Sequence, residues 1–255
     1  MDVLRPQARQ KSHREDYILT LQPFSRSSSR LSRPSKVTIK CHLKDSSASG
    51  AIAVFKTASH VVKVYDTTLE GPATEFTNEK VAYELIGKSE ARKHIPQGFQ
   101  HGTVVDFPCH QYNMIDKVPG TTLDLVEASA DSEKQAIMKN LIEADSEILF
   151  LGQVTIHDLH PQNVTLTLSG KIVIVDFGQS TIEKKIPKEY RNPLFCWVRR
   201  ARLWAEYGWF RNRREGLKWM WDEWGPGGDA NWASVNKPQE NLTRVTPDQG
   251  GELVE

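Results

Sequence analysis

No stretch of this sequence approaches the roughly 20 consecutive apolar residues that a membrane-spanning helix needs. Neither sign of charge dominates: 33 Lys and Arg stand against 32 Asp and Glu. The chain as a whole therefore carries no signature of a polyanion binder. Cysteine is scarce. Cys41, Cys109 and Cys196 are the three present, scattered and without metal-ligand spacing, which excludes a disulfide framework and fits reduced thiols. The opening residues, MDVLRPQARQKSHRED, are polar and lack the apolar core of a secretory signal. The expected location is the cytoplasm, with the nucleus open. In such a compartment the glycosylation patterns at Asn163-Val164-Thr165 and Asn241-Leu242-Thr243 read as coincidence.

What is present falls into blocks. Residues 1–35 are polar, with a Ser- and Arg-rich run from Ser25 to Ser35, and read as a flexible arm. Strands are predicted at Lys36 to Leu43, Ala51 to Lys56 and His60 to Tyr65, the last with Val61, Lys63 and Tyr65 on one face. Thr74 to Lys88 reads as a helix with Phe76, Val81, Ala82, Leu85 and Ile86 as its apolar set. Two more strands are expected near Gly102 to Phe107 and Gln111 to Ile115. A second amphipathic helix is expected over 133–151, with Gly152 placed to end it. Residues 225–255 are Gly-, Pro- and Asn-rich and read as a disordered tail.

The most informative segment is Val154 to Gly178, VTIHDLHPQNVTLTLSGKIVIVDFG. It reads as an acidic loop, a strand Val164 to Leu168, a turn at Ser169-Gly170, a strand Lys171 to Val175, and a second acidic loop. A two-residue turn with Gly at a φ > 0 position predicts the pairs Leu168–Lys171, Leu166–Val173 and Val164–Val175. One step further, Asn163 would face Asp176, about 5 Å apart. Hard oxygen ligands gathered at one point suit Mg²⁺. Asp158, on the loop leading in, is a free carboxylate suited to act as base for a hydroxyl nucleophile.

This constellation resembles the catalytic core of the protein-kinase-like superfamily. His157 to Asn163, HDLHPQN, is similar to the catalytic loop of the aminoglycoside and choline kinases and their atypical relatives, and Asp176-Phe177-Gly178 supplies DFG. The resemblance implies an α+β, two-lobed fold. A five-stranded antiparallel N-lobe and hinge would cover 36–118, with one helix. A small, mainly helical C-lobe would cover 119–224, minimal as in RIO-type kinases. It implies Asp158 as catalytic base, Asn163 and Asp176 as Mg²⁺ ligands, and His160 where protein kinases carry a phosphate-contacting Lys. It further implies that Lys63 contacts the ATP phosphates and pairs with Glu79, with Glu75 and Glu84 as rivals. Asp116 and Val118 would be the hinge residues that bind adenine. The loop Lys44 to Gly50, KDSSASG, lies where the glycine-rich loop belongs but holds one glycine; Ser49 and Gly50 would approach phosphate there. The preceding Ile156-His157 departs from the usual His-Arg or His-Gly, and His157 reads as a hydrogen-bonding prop.

No APE motif follows DFG, and no substrate-pocket insertion is evident. Protein Ser/Thr is therefore slightly favoured over a small molecule as the hydroxyl acceptor in an ATP-dependent transfer. The alternative is a pseudokinase or scaffold. All seven Trp fall between Trp197 and Trp232, interleaved with Arg199, Arg200, Arg202, Arg211, Arg213, Arg214 and Lys218. They read either as two short helices closing the C-lobe, aromatics inward, or as a surface for an anionic partner over 197–224.

Overall fold

The computed structural model describes residues 16–23, 37–44, 53–127 and 130–225. Its contacts divide the chain into two units, Met1–Ala73 with Gln100–Met114, and Thr74–Phe99 with Ile115–Glu255.

The first unit is an antiparallel β-barrel. Its strands are β1 (Asp16–Pro23), β2 (Val37–Lys44), β3 (Ala53–Lys56), β4 (His60–Asp66), β5 (Phe99–Val104) and β6 (Phe107–Asp116), in the order β1-β2-β3-β4-β6-β5. The five expected strands are present, and β1 is added to them. It lies inside the stretch expected as a flexible arm. It pairs with β2 through Leu19↔Ile39 and Leu21↔Val37, and with β5 through Leu21↔Val104, so it joins two strands that would otherwise be edges. The inward alternation of Leu21, Ala53, Phe55, Val62, Val64, Val104, Tyr112 and Met114 fills the barrel. The Ser- and Arg-rich run and the loop carrying Ser49 and Gly50 lie outside the described residues.

The second unit takes most of α1 (Glu70–Ile86), which was expected within the 36–118 lobe, and then α2 (Asp131–Gly152). Phe76, Glu79, Ala82, Tyr83 and Ile86 are the buried positions of α1, at the three- and four-residue steps of one helical face. Gly152 does not end α2 by its own conformation. The left-handed residue is Gln153, φ 58°. Gly152 is needed for closeness: a Cβ there would stand 2.9 Å from Ile86 Cγ1.

Short strands flank α2: β7 (Gly120–Thr122) before it, and β8 (Val154–Ile156), β9 (Val164–Thr167), β10 (Ile172–Ile174) and β11 (Ser180–Ile182) after it. They form a three-stranded sheet β10-β9-β7 and a two-stranded sheet β11-β8. The described residues end with α3 (Leu194–Trp197), α4 (Ala201–Glu206) and α5 (Arg213–Trp224). Asn212 caps α5, accepting the Glu215 N–H at 2.9 Å, and its amide reaches Glu215 Oε1 at 3.1 Å. Among the described residues no helix is long and apolar enough to cross a membrane.

Candidate active site

The β9–β10 hairpin turns through three residues. Gly170 N–H donates to Thr167 O, Thr167 N–H donates to Lys171 O, and Gly170 has φ 77°. That is a type of loop in which a left-handed residue completes the turn. The pairs are Leu166↔Ile172, Thr165↔Val173 and Val164↔Ile174, one residue away from the expected register. Asn163 consequently meets Val175, whose N–H donates to Asn163 O at 2.9 Å. Asp176 comes one step later, in the left-handed region at φ 67°. A direct Asn163–Asp176 pair is therefore not what gathers the two acidic loops.

They are gathered by being pinned at both ends. At one end stands the Val175–Asn163 bond. At the other, β8 pairs with β11 through Ile156↔Ser180, and His157 N–H donates to Gln179 O at 2.9 Å. Loops 157–163 and 175–179 are thus held side by side by two short ladders. Inside the first loop, Asn163 Nδ2 donates to Asp158 O at 3.0 Å and Asn163 N–H to His160 O at 2.9 Å. Committing the amide nitrogen inward leaves Asn163 Oδ1 as the acceptor end. Asp158 is half exposed, with side-chain accessibility 52%, as suits a carboxylate that must meet a substrate. His160 Nε2 stands 3.5 Å from Asp158 Oδ2. His157 is a prop: its Nε2 lies 3.0 Å from Thr181 Oγ1, tying the two ladder ends by side chains as well.

Helix α1 holds the second loop. Asn78 Nδ2 donates to Gly178 O at 3.3 Å, and Gln179 Nε2 to Glu75 Oε1 at 2.6 Å. Phe177 is fully buried and meets the Tyr83 ring edge-on at 5.0 Å between centroids. Burial pushes the Tyr83 hydroxyl well above its ordinary value, and the carboxylates of Glu79 and Asp176 push the same way. Tyr83 was absent from the apolar set expected for this helix. Its signal was its place four residues after Glu79, on the same face.

The remaining nucleotide-site candidates fall in both units. Lys63 is on β4 of the barrel and 8% exposed. Glu79 is on α1 and 1% exposed, whereas Glu75 is engaged by Gln179 and Glu84 faces solvent. Buried charges of this kind require partners. Asp116 ends β6; its N–H is taken by Gly98 O at 3.1 Å. Gly98 is there because a Cβ would stand 2.4 Å from Asp116 Oδ1. Val118 follows, half-buried, in the link to β7.

The sequence profile of the ABC1 atypical kinase-like domain matches residues 56–202. The chain belongs to the ABC1 atypical kinase-like family. The ABC1 match runs from the last residue of β3 into α4 and contains both pinned loops. It places the chain in the protein-kinase-like superfamily. The likeness to RIO-type and aminoglycoside or choline kinases stays a likeness of motifs. Among proteins with curated descriptions, none matches the chain. Among solved structures, similar ones include a crystal structure of WbdD, at 15% identity and TM-score 0.48, covering 90% of this chain and 56% of that one. Another is the bifunctional kinase-methyltransferase WbdD, at 16% identity and TM-score 0.43, covering 78% and 44%. A third is WbdD with the kinase inhibitor LY294002, at 13% identity and TM-score 0.41, covering 88% and 57%. The chain spans about half the length of these structures.

At the end of the matched ABC1 segment and beyond it, the described tryptophans are buried or half-buried. Trp197, Trp204 and Trp224 are fully buried and Trp209 nearly so, while Trp219 and Trp221 are half-buried. Trp197 and Trp204 lie 5.7 Å apart and Trp219 and Trp224 5.4 Å. Leu203, beside the buried Trp204, is 42% exposed, and the turn at 198–200 separates α3 from α4, so the two share no continuous helical face. Arg202 and Arg211 face solvent and pair with Glu206 and Glu215 along their own segments, at 3.1 and 3.9 Å. Trp232 lies outside the described residues.

Sequence reasoning also passed over Asp145. It is buried on α2 and accepts the Trp197 Nε1–H at 2.9 Å; Arg200 Nη1 stands 3.9 Å from the same oxygen. Burial raises the Asp145 pKa, and Arg200 and Trp197 pull it back without restoring it. Asp145 and Arg200 line a cavity of about 360 Å³ with Ile156, Glu183, Lys185 and Tyr190.

Proposed function

We propose that the protein is an ATP- and Mg²⁺-dependent phosphotransferase acting on a hydroxyl acceptor. A protein Ser/Thr is favoured over a small molecule. The observation that carries the proposal is the double pinning of loops 157–163 and 175–179, which gathers Asp158, Asn163 and Asp176 within one unit. The donors suit Mg²⁺. Among the described residues no three His, Cys, Asp or Glu side chains cluster as a protein-only metal cage. One carboxylate and one amide oxygen, with water and phosphate completing the shell, is how this ion is commonly held. Asn163 Oδ1 and the Asp176 carboxylate would hold it, and when bound it would offset negative charge on the phosphate oxygens.

The rest falls to side chains. Asp158 accepts the proton of the acceptor hydroxyl as its oxygen bonds to the γ-phosphorus and the bond to the ADP oxygen breaks. His160, beside Asp158, is placed to donate to a phosphate oxygen or to orient the base. Lys63 is the candidate for the α- and β-phosphates, and Glu79 is a further candidate residue of the nucleotide site. The Asp116 carbonyl and the Val118 N–H contact adenine. Ser49 and Gly50, which lie outside the described residues, are the candidates for approaching phosphate.

The test is calorimetric titration of ATP into wild type and Asp176→Asn, with and without Mg²⁺, followed by turnover in Asp158→Ala. The expected result is Mg²⁺-dependent binding that Asp176→Asn abolishes, and loss of transfer in Asp158→Ala with nucleotide binding kept. Binding indifferent to both metal and Asp176 would sink the proposal in favour of a pseudokinase or scaffold.

A further inference from the structure

We infer that Arg200 is a positioning residue for the loop that carries Asp158. It is held in place by Asp145 and Trp197 and never touches substrate. As a statement about catalysis this rests on the phosphotransfer reading above; as a statement about loop order it does not.

The loop leaves the protein framework at Ile156, the last residue of β8, two residues before Asp158. β8 and β11 are three residues each. So short a ladder fixes direction weakly, and a further anchor at its exit has leverage on the loop. Arg200 supplies one: its Nη2 donates to Ile156 O. It reaches there from the turn between α3 and α4, outside the ladder altogether. Two contacts fix the guanidinium. Its Nη1 faces the buried Asp145 carboxylate on α2, and its centre lies 5.7 Å from the Trp197 ring. Trp197 in turn donates to Asp145. A planar fork can address a carboxylate with one nitrogen and a carbonyl with the other. An ammonium is a single point and can satisfy only one of the two. Asp145 and Trp197 are both buried and already bonded to each other, so together they hold the guanidinium as a brace.

The brace separates two properties that a merely structural role would move together. Arg200→Lys keeps a positive charge near Asp145 and so keeps the fold, but releases Ile156 O. The decisive measurement is amide hydrogen exchange in the full chain, read at His157 and Asn163, whose N–H groups are bonded at 2.9 Å to Gln179 O and His160 O. It is read alongside Tm, ATP affinity and kinetics. In Arg200→Lys, exchange at these two amides is expected to rise about tenfold or more. Amides in α2 and α5 should be unaffected, and Mg·ATP affinity should stay within about twofold. Where wild type turns over, kcat should fall about 100-fold at unchanged KM for ATP, the scale of a displaced catalytic group. Arg200→Met is expected to show the same local exchange with a lower Tm, because Asp145 then loses its counter-charge.

Unchanged exchange at His157 and Asn163 in both variants overturns the inference. So does a uniform rise across α2 and α5, which would make Arg200 an ordinary stabilising residue. A wild type without turnover would count against the phosphotransfer reading alone, because the exchange result stands without it.

Discussion

Asn192 is 3% exposed and uses both ends of its amide: Nδ2 donates to Trp224 O at 3.0 Å and Oδ1 accepts from Leu194 N–H at 3.0 Å. It fastens the end of α5 to the start of α3. Asn192→Leu strands two buried backbone groups, and unfolding in urea should show a loss of about 1–3 kcal/mol. Glu147 and His94 predict the acid side of the stability curve. Burial lowers the His94 pKa despite its 3.0 Å contact with Glu147. Burial raises Glu147, but hydrogen bonds from Lys93 and His94 outweigh it and leave the carboxyl below its ordinary value. Both shifts are downward, so both contributions are present at neutral pH and lost on acidification. Tm should begin to fall below the ordinary histidine value near 6.5 and fall further below 4.5. Asp145, shifted upward, acts in the opposite sense and softens the slope. His94→Gln should flatten the upper part of that window. Burial also lifts the Cys196 thiol to about 12, so iodoacetamide at pH 8 should label the exposed Cys109 well before Cys196, as peptide mass spectrometry would show. Asp158, Asn163 and Asp176 could be picked out as candidates because their signal lies in spacing along the chain. Asp145, Arg200 and Tyr83 were not, because each takes its role from a partner far away in sequence.

Between elements, closeness matters more than propensity. Gly152 looks like a helix terminator, yet its neighbour Gln153 takes the left-handed turn while Gly152 admits Ile86. Gly152→Val should cost about 1–3 kcal/mol by overpacking, measured by thermal unfolding. The hairpin was read one residue out of register for a related reason. Ser169-Gly170 has the composition of a two-residue turn, but Leu168 joins it as a third, 95% exposed at the tip. Nothing in a leucine announces that it will leave a strand. β1 was hidden differently. DYILTLQP carries the apolar pattern of a strand, but the polar, Ser- and Arg-rich residues around it set the reading of the whole stretch. Deleting Asp16–Pro23 should unpair β2 and β5 together, and light scattering should then show association through the opened edges.

At the scale of the whole molecule, the family match starts at residue 56, so β1 and β2 lie before it although they complete the barrel. The HDLHPQN loop, the DFG that follows it and the order of strands and helices were enough to suggest the superfamily, because motif spacing and element order are both written along the chain. The division into two units was not: α1 sits between strands in sequence, and only its burial against residues such as Phe177 and Gly152 assigns it to the second. That division has an optical consequence. Every tryptophan of the chain lies at or beyond position 197, and the barrel unit contains none. Emission excited at 295 nm (about the red edge, where tyrosine is nearly silent) therefore watches the second unit alone. Far-ultraviolet dichroism watches both. Melting curves from the two signals that coincide would show the units unfolding together. Curves that separate would rank them, with no label or added probe.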